Sequence, residues 1–225
     1  MIKFDRVTKK FKQGTVALDK VSFKIKKGEF VFLVGPSGAG KTTILRLLLK
    51  KTLPSKGKIV VDGEDLEEIP KKKIPLLRRK IGAAFQDFKL LYDRTVGENV
   101  ALALEILGKE SSKIEEEVKD ALSLVGLKDK ADLFPIQLSG GEFQRASLAR
   151  AVVGKPKILF ADEPTGNLDM DIGWQIVNLL KQINKKGTTV IMATHEAEIV
   201  NSLDQRVIRL EKGKIASDKK KGKYK

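Results

Sequence analysis

Four short stretches of this 225-residue chain carry residue types that could do chemistry on a polyphosphate. The first is Gly35-Pro36-Ser37-Gly38-Ala39-Gly40-Lys41-Thr42-Thr43, with the spacing G-x-x-x-x-G-K-[ST] of a phosphate-binding P-loop. The backbone N–H groups of such a turn converge on phosphate oxygens, at the positive end of the helix that follows. Lys41 adds a full charge against the β/γ-phosphates, and the Thr42 hydroxyl is placed to ligate Mg²⁺. The second stretch, Lys157-Ile158-Leu159-Phe160-Ala161-Asp162-Glu163, is an apolar run ending in two acids. Asp162 suits a Mg²⁺ partner to Thr42, and Glu163 suits a base for water. The third, Leu138-Ser139-Gly140-Gly141-Glu142, places S-x-x-E at the head of a helix, where two glycines leave the first-turn N–H groups open to a phosphate. The fourth is a pair of strand ends, Gln86 after the apolar run 81–85 and His195, the only histidine, after 188–194. Ends of parallel strands are where α/β sheets place ligand groups. On residue type alone Gln86 reads equally as a polar loop residue, and a lone histidine as structural.

These groups need elements to hold them. Phe30-Val31-Phe32-Leu33-Val34 before the P-loop and Ile44-Leu45-Arg46-Leu47-Leu48-Leu49 after it read as strand, turn and helix. Residues 2–7 and 21–25 alternate apolar and polar as half-buried strands do, and Phe11 lies in the connection between them. Residues 57–63 read as a strand closing in a turn, and 206–210 as a last strand. From 88 to 153 the pattern is helical. Val100, Leu102, Leu104 and Leu107 belong to one helix. A second is expected to start on a capping box at Ser112-Lys113-Ile114-Glu115, with Ile114, Val118, Ala121, Leu122 and Val125 as its buried stripe and Gly126 as its end. A third runs from Ser139 through Ala146, Leu148, Ala149, Val152 and Val153. The expected organisation is an α/β core of residues 1–87 and 154–211, an inserted helical block of 88–153, and a basic tail of 212–225.

Composition narrows the function classes. There is no cysteine, hence no disulfide framework, thiolate metal site or cysteine nucleophile. No apolar run approaches the roughly 20 residues that cross a bilayer, and the start has no signal-peptide apolar region, so a cytoplasmic location is expected. The net charge of +15 is concentrated: residues 71–80 carry six basic groups and no acid, and residues 212–225 carry seven lysines against Asp218 alone. Lysine runs are solvated surface by default. Beside anionic lipid each is worth about 1 kcal/mol, so the tail could also rest on an anionic membrane surface.

Taken together, GPSGAGKTT at 35–43, Gln86, LSGGE at 138–142, ILFADEP at 158–164, Gly166-Asn167-Leu168-Asp169 and His195 resemble the ATP-binding cassette (ABC) ATPase family over nearly the whole chain. The resemblance implies an α/β fold. In it, a RecA-like P-loop NTPase core carries an N-terminal antiparallel β subdomain and an inserted α-helical subdomain. It implies ATP and Mg²⁺ as cofactors. Phe11 would stack on adenine, and Gly35, Ser37, Gly38, Ala39, Gly40, Lys41, Thr42 and Thr43 would hold the phosphates. Thr42, Gln86 and Asp162 would serve the metal, and Gln86 would also contact the attacking water. Glu163 would be the base, and His195 would hold the γ-phosphate. Ser139, Gly140, Gly141 and Glu142 would complete the site from a second copy, with Asp169 at the interface of an ATP-dependent homodimer.

A finer likeness, carried by Gly-Asn-Leu-Asp at 166–169 and the run 79–96, is to cassettes of cell division, lipoprotein release and macrolide export. The division branch implies an FtsX-like integral membrane partner, met through Gln86 to Arg94 and the helical block, with the chain held at the inner face of the cell membrane. Export of a lipoprotein or small molecule is the alternative. A nucleic-acid-associated cassette is a weaker one, because such relatives usually carry a coiled-coil insertion or two cassettes. Tyr92 stands where that pattern often has proline, and Phe143 where it often has glutamine.

Overall fold

The structure is a computed structural model that describes residues 1–85, 89–166 and 168–224. Its strands are β1 (Ile2–Lys10), β2 (Val16–Ile25), β3 (Phe30–Val34), β4 (Lys56–Val61), β5 (Glu64–Asp65), β6 (Ile81–Ala84), β7 (Ile158–Asp162), β8 (Thr189–Thr194), β9 (Arg206–Glu211) and β10 (Lys214–Lys219). Its α-helices are α1 (Lys41–Leu48), α2 (Ile74–Arg79), α3 (Val96–Ile106), α4 (Ser111–Leu124), α5 (Gly140–Val152), α6 (Met170–Lys185) and α7 (Ala197–Ser202). An antiparallel sheet runs β2-β1-β4-β5, and a second sheet runs β10-β9-β3-β8-β7-β6. In the second, β6, β7, β8, β3 and β9 are parallel and β10 is an antiparallel edge.

The continuous apolar strands behave as a sheet covered on both faces should. Phe30, Phe32 and Val34 of β3, Leu159 and Ala161 of β7, and Val190 and Met192 of β8 point into one core with α3 to α6. Their alternates, Val31, Leu33, Ile158, Phe160, Ile191 and Ala193, point into a second core with α1 and the antiparallel sheet. Register then fixes the rim of the sheet. Val34 pairs with Thr194, and Asp162 with Ala193. Three neighbouring strands therefore end level with one another, and Gly35, Glu163 and His195 leave the sheet side by side.

The helices 96–152 follow one another with no strand between them among the described residues. α3 opens on a capping box that the sequence reading passed over: the Thr95 hydroxyl accepts from the Glu98 N–H (3.2 Å), and the Glu98 carboxylate accepts from the Thr95 N–H (2.6 Å). Asn99, fully buried on this helix, clamps the preceding turn. Its Oδ1 accepts from the Leu91 N–H (2.7 Å), and its amide donates to the carbonyls of Leu91 (2.9 Å), Arg94 (3.2 Å) and Thr95 (2.9 Å).

Two expectations are corrected. α4 starts at Ser111 on Glu110, with no side-chain cap, and the Ser112–Glu115 capping box does not form. The reason is local: the Lys113 N–H already donates to the Glu110 carbonyl (2.9 Å) and the Lys113 and Glu110 side chains pair (2.7 Å), so the first turn closes earlier. The lysine-rich segment after residue 211 is also no pendant tail. β10 pairs along β9, and the Arg206 guanidinium grips Asp218 through both nitrogens, Nε and Nη2 (2.7 Å each), while Nη1 reaches Glu29 (2.9 Å). Tyr224 exchanges two hydrogen bonds with Asn201 (2.7 and 2.8 Å).

α5 does have its expected capping box: the Ser139 hydroxyl accepts from the Glu142 N–H (3.4 Å) and the Glu142 carboxylate from the Ser139 N–H (2.9 Å). That backbone bond, together with Lys130 at 2.9 Å, holds the Glu142 carboxyl down at about 2.

Two outcomes follow from these contacts. Replacing Asn99 with Ala removes all four of these bonds and leaves the Leu91 N–H and the Arg94 carbonyl without this partner, and urea unfolding should report a loss of roughly 1–3 kcal/mol. Glu142 is ionised above its ordinary range near 4.5 whether folded or not, but only the folded chain keeps it ionised down to about 2. Its contribution is thus complete above about 4.5 and lost as pH falls toward 2. Glu142→Gln should flatten the acid limb of the stability curve in that window, measured by unfolding at a series of pH values.

Candidate functional site

The P-loop crosses from β3 to α1 at the level rim. A Cβ on Gly35, whose φ is +153°, would lie 2.2 Å from the Leu210 carbonyl oxygen of β9. One on Gly40 (φ +112°) would lie 2.7 Å from the Ala17 oxygen of β2. Glycine at these two positions is what lets the loop pass between two strands. Gly40 caps α1 without a side-chain bond, and no acid stands in the first turn, so the helix offers its N–H groups and positive end unneutralised. Pro36, Ser37, Gly38 and Thr42 are exposed, Thr43 is half-buried, and Ala39 is buried.

Lys41 is 6% exposed and lies back across its own loop. Its ammonium donates to the carbonyls of Gly35 (2.6 Å) and Pro36 (3.3 Å) and pairs with Glu163 Oε1 (3.1 Å). The other Glu163 oxygen, Oε2, lies 2.9 Å from His195 Nδ1. Glu163 thus bridges the P-loop cation and the end of β8. It does so from a left-handed backbone (φ +49°) that a side-chain-bearing residue seldom adopts, and such outliers cluster where geometry serves chemistry. His195 is mostly open to solvent.

Asp162, beside it, is 3% exposed. Burial pushes its carboxyl up; a hydrogen bond from the Thr42 hydroxyl and the Lys41 charge act in the opposite direction, and the nearby Glu163 charge adds to the rise. Its Oδ1 has no hydrogen-bond partner, one of three such buried side-chain atoms among the described residues. A buried, unmatched carboxylate oxygen next to a threonine hydroxyl is the donor set of a hard divalent cation. Asp162 and Thr42 therefore fit Mg²⁺.

Phe11 is half-buried at the β1–β2 turn, where its N–H and carbonyl tie to Thr15 (2.9 Å) and Gly14 (3.0 Å), and its ring has Lys9 Nζ 5.3 Å away. β2 is the strand that flanks Gly40, so this ring stands on the P-loop side of the molecule.

The Ser139–Glu142 stretch lies elsewhere. Ser139 and Gly140 are exposed at the start of α5, and among the described residues no hydrogen bond or ion pair joins them to Lys41, Asp162 or Glu163. Gly141 is buried: a Cβ there would sit 2.7 Å from Ile172, so its absence lets α5 lie against the start of α6. Asp169 caps that helix, its Oδ1 accepting from the Ile172 N–H (2.9 Å). Asp169 is exposed. Gln86 lies outside the described residues.

Some of the arrangement had no clear signal in the sequence. The turn 89–94 is fastened at three points, by Asn99 on α3, by the Arg150 guanidinium donating to the Lys89 carbonyl (2.5 Å), and by Tyr92, whose ring lies 5.8 Å from that of Phe143 on α5. Asn99 could have been suspected as the polar residue inside the apolar stripe Val96, Val100 and Leu104. The two unusual aromatics, Tyr92 and Phe143, turn out to face each other.

Comparison with known proteins agrees with this geometry. A family model described as ABC transporter matches residues 18–166. The chain is 51% identical over 224 residues to the cell division ATP-binding protein FtsE of Bacillus subtilis, covering 100% of this chain and 98% of that protein. The protein of the same name from Escherichia coli is 47% identical over 215 residues, covering 96% and 97%. Among solved structures, the dimeric ATP-binding cassette MJ0796 in a post-hydrolysis state bound to ADP and Pi superposes with a TM-score of 0.90 at 34% identity, over the whole of both chains. With a P-loop and an acid pair at the rim of a RecA-like sheet and a Ser-Gly-Gly helix start in the helical block beside it, this chain belongs to the ABC transporter family of ATP-binding cassettes.

Proposed function

We propose that this chain is the ATP-hydrolysing subunit of a membrane-bound cell-division assembly, working as a dimer that closes on ATP. The observation that carries the ATPase reading is the Lys41–Glu163–His195 cluster beside the unmatched buried oxygen of Asp162. The division reading rests on relatives about half identical over their full length.

Phosphates entering the P-loop give the Lys41 ammonium better partners than the carbonyls of Gly35 and Pro36. Lys41 then turns to the β/γ oxygens and lets go of Glu163, which becomes free to orient and deprotonate a water in line with the γ-phosphate. His195 hydrogen-bonds the γ-phosphoryl oxygens as charge builds on them. Asp162 and Thr42, joined by Gln86, would hold Mg²⁺, which when bound neutralises phosphate charge. Gln86 also contacts the water, and Phe11 stacks on adenine. Phe11, Ser37, Gly38, Ala39, Gly40 and Thr43 with Gly35 fix the nucleotide.

Ser139, Gly140 and Gly141 lie on a helix start that, among the described residues, makes no bond to this cluster within one chain. A second copy, related by a twofold axis, brings its Ser139–Gly141 to the γ-phosphate, with Glu142 holding the helix start in shape and Asp169 at the shared boundary. The dimeric MJ0796 cassette supports this arrangement. Hydrolysis removes the group that both copies grip, so the pair opens.

The membrane partner is of the FtsX kind and meets the Gln86–Arg94 region and the helices behind it. That partner holds the chain at the inner membrane face; among the described residues no helix is itself long and apolar enough to cross a membrane. Leu91 and Tyr92 are exposed apolar groups on the fastened turn, and the lysines of 212–225 add attraction to an anionic surface.

Glu163→Gln should bind ATP as the parent does, lose at least about 100-fold in turnover, and accumulate as an ATP-bound dimer. Phosphate release and light scattering read both effects, and parental turnover would remove Glu163 as the base. Leu91→Asp should cut co-purification with the FtsX-type partner while ATP affinity of the isolated chain stays constant. Undiminished capture would move the docking surface elsewhere.

A further inference from the structure

At the end of the main sheet opposite the P-loop, a cavity of about 620 Å³ opens where β3, β7 and β8 begin, walled by α4 and the last turns of α5 and α6. Its size falls in the roughly 300–1,000 Å³ range of small-molecule sites. The floor is apolar: Ala121, Val153 and Ile183 line it. The rim is charged, and its ion pairs decide its sign. Lys157 on the rim is held by Asp62 (2.7 Å), and Glu117 by Lys109 (2.7 Å), both from outside the cavity. Lys27, Lys155 and Lys186 have no ion pair among the described residues; the Lys155 charge also acts on Glu117, and Asp120 is the rim carboxylate without a pairing lysine. Four rim lysines against the two carboxylates of Glu117 and Asp120 leave the mouth net positive above an apolar floor, which selects an anion with an apolar body.

We propose that this cavity binds a medium-chain acyl carboxylate, with its chain over Ala121, Val153 and Ile183 and its head group at Lys27, Lys155 and Lys186. Lysine stems can line the entrance while their charges meet the carboxylate in water. The site shares no residue with the nucleotide site and does not depend on how that site works.

Isothermal titration of the full chain tests it with decanoate, octanoate and decyltrimethylammonium. Decanoate should bind saturably, one per chain, and at least about tenfold tighter than octanoate, since each buried methylene is worth about fourfold. The cation should not bind saturably. Lys27→Glu combined with Lys186→Glu alters two exposed side chains and should weaken decanoate about tenfold or more, with thermal unfolding and ATP turnover unchanged. Ala121→Phe should weaken decanoate by filling the floor; the lysine reversal keeps the test decisive if that variant does not fold. Lack of saturable decanoate binding, equal binding of the cation, or indifference to the lysine reversal would overturn the proposal. The first of these results would leave the cavity to an acidic segment of another protein.

Discussion

The in-register parallel pairing of β3, β8 and β7 is the constraint on which the rest of the molecule depends. Because Val34, Thr194 and Asp162 end their strands at nearly one level, Lys41, His195 and Glu163 come within hydrogen-bonding distance without any long excursion of the backbone. A slip of one residue would turn every side chain of a strand to the other face and exchange the two cores. The burial of alternate residues on opposite faces thus fixes the site as firmly as the site residues do.

That arrangement collects charge where water is scarce. Asp162 is buried beside Glu163, and the two are kept together by Lys41 and the Thr42 hydroxyl. Breaking a buried charge group by removing one member costs more than the group contributes, since the remaining charge stays buried and unmatched. The cluster is therefore tolerable as a unit and is tuned for a further positive charge.

Much of this was legible in local sequence. The P-loop, the acid pair and the Ser139–Glu142 cap are set by contiguous residues whose meaning survives without knowing the fold, and β3, β7 and β8 announce themselves as uninterrupted apolar runs. What the chain brings together from afar was not legible. Arg206 and Asp218 turn a lysine-rich stretch into an edge strand, which composition alone disguises. Ser112–Glu115 had the right letters for a cap, but the Glu110–Lys113 bond started the helix first. Tyr92 and Phe143 are far apart in sequence, and only packing shows that one unusual aromatic sits against the other.

The bond between Lys41 and Glu163 ties the P-loop to the end of β7 across the rim of the sheet. With its ammonium folded onto the loop carbonyls and both carboxylate oxygens occupied, the pair joins three segments that lie far apart in the chain. A chain built this way has a keystone at its rim, and disturbing either residue is felt by all three segments at once.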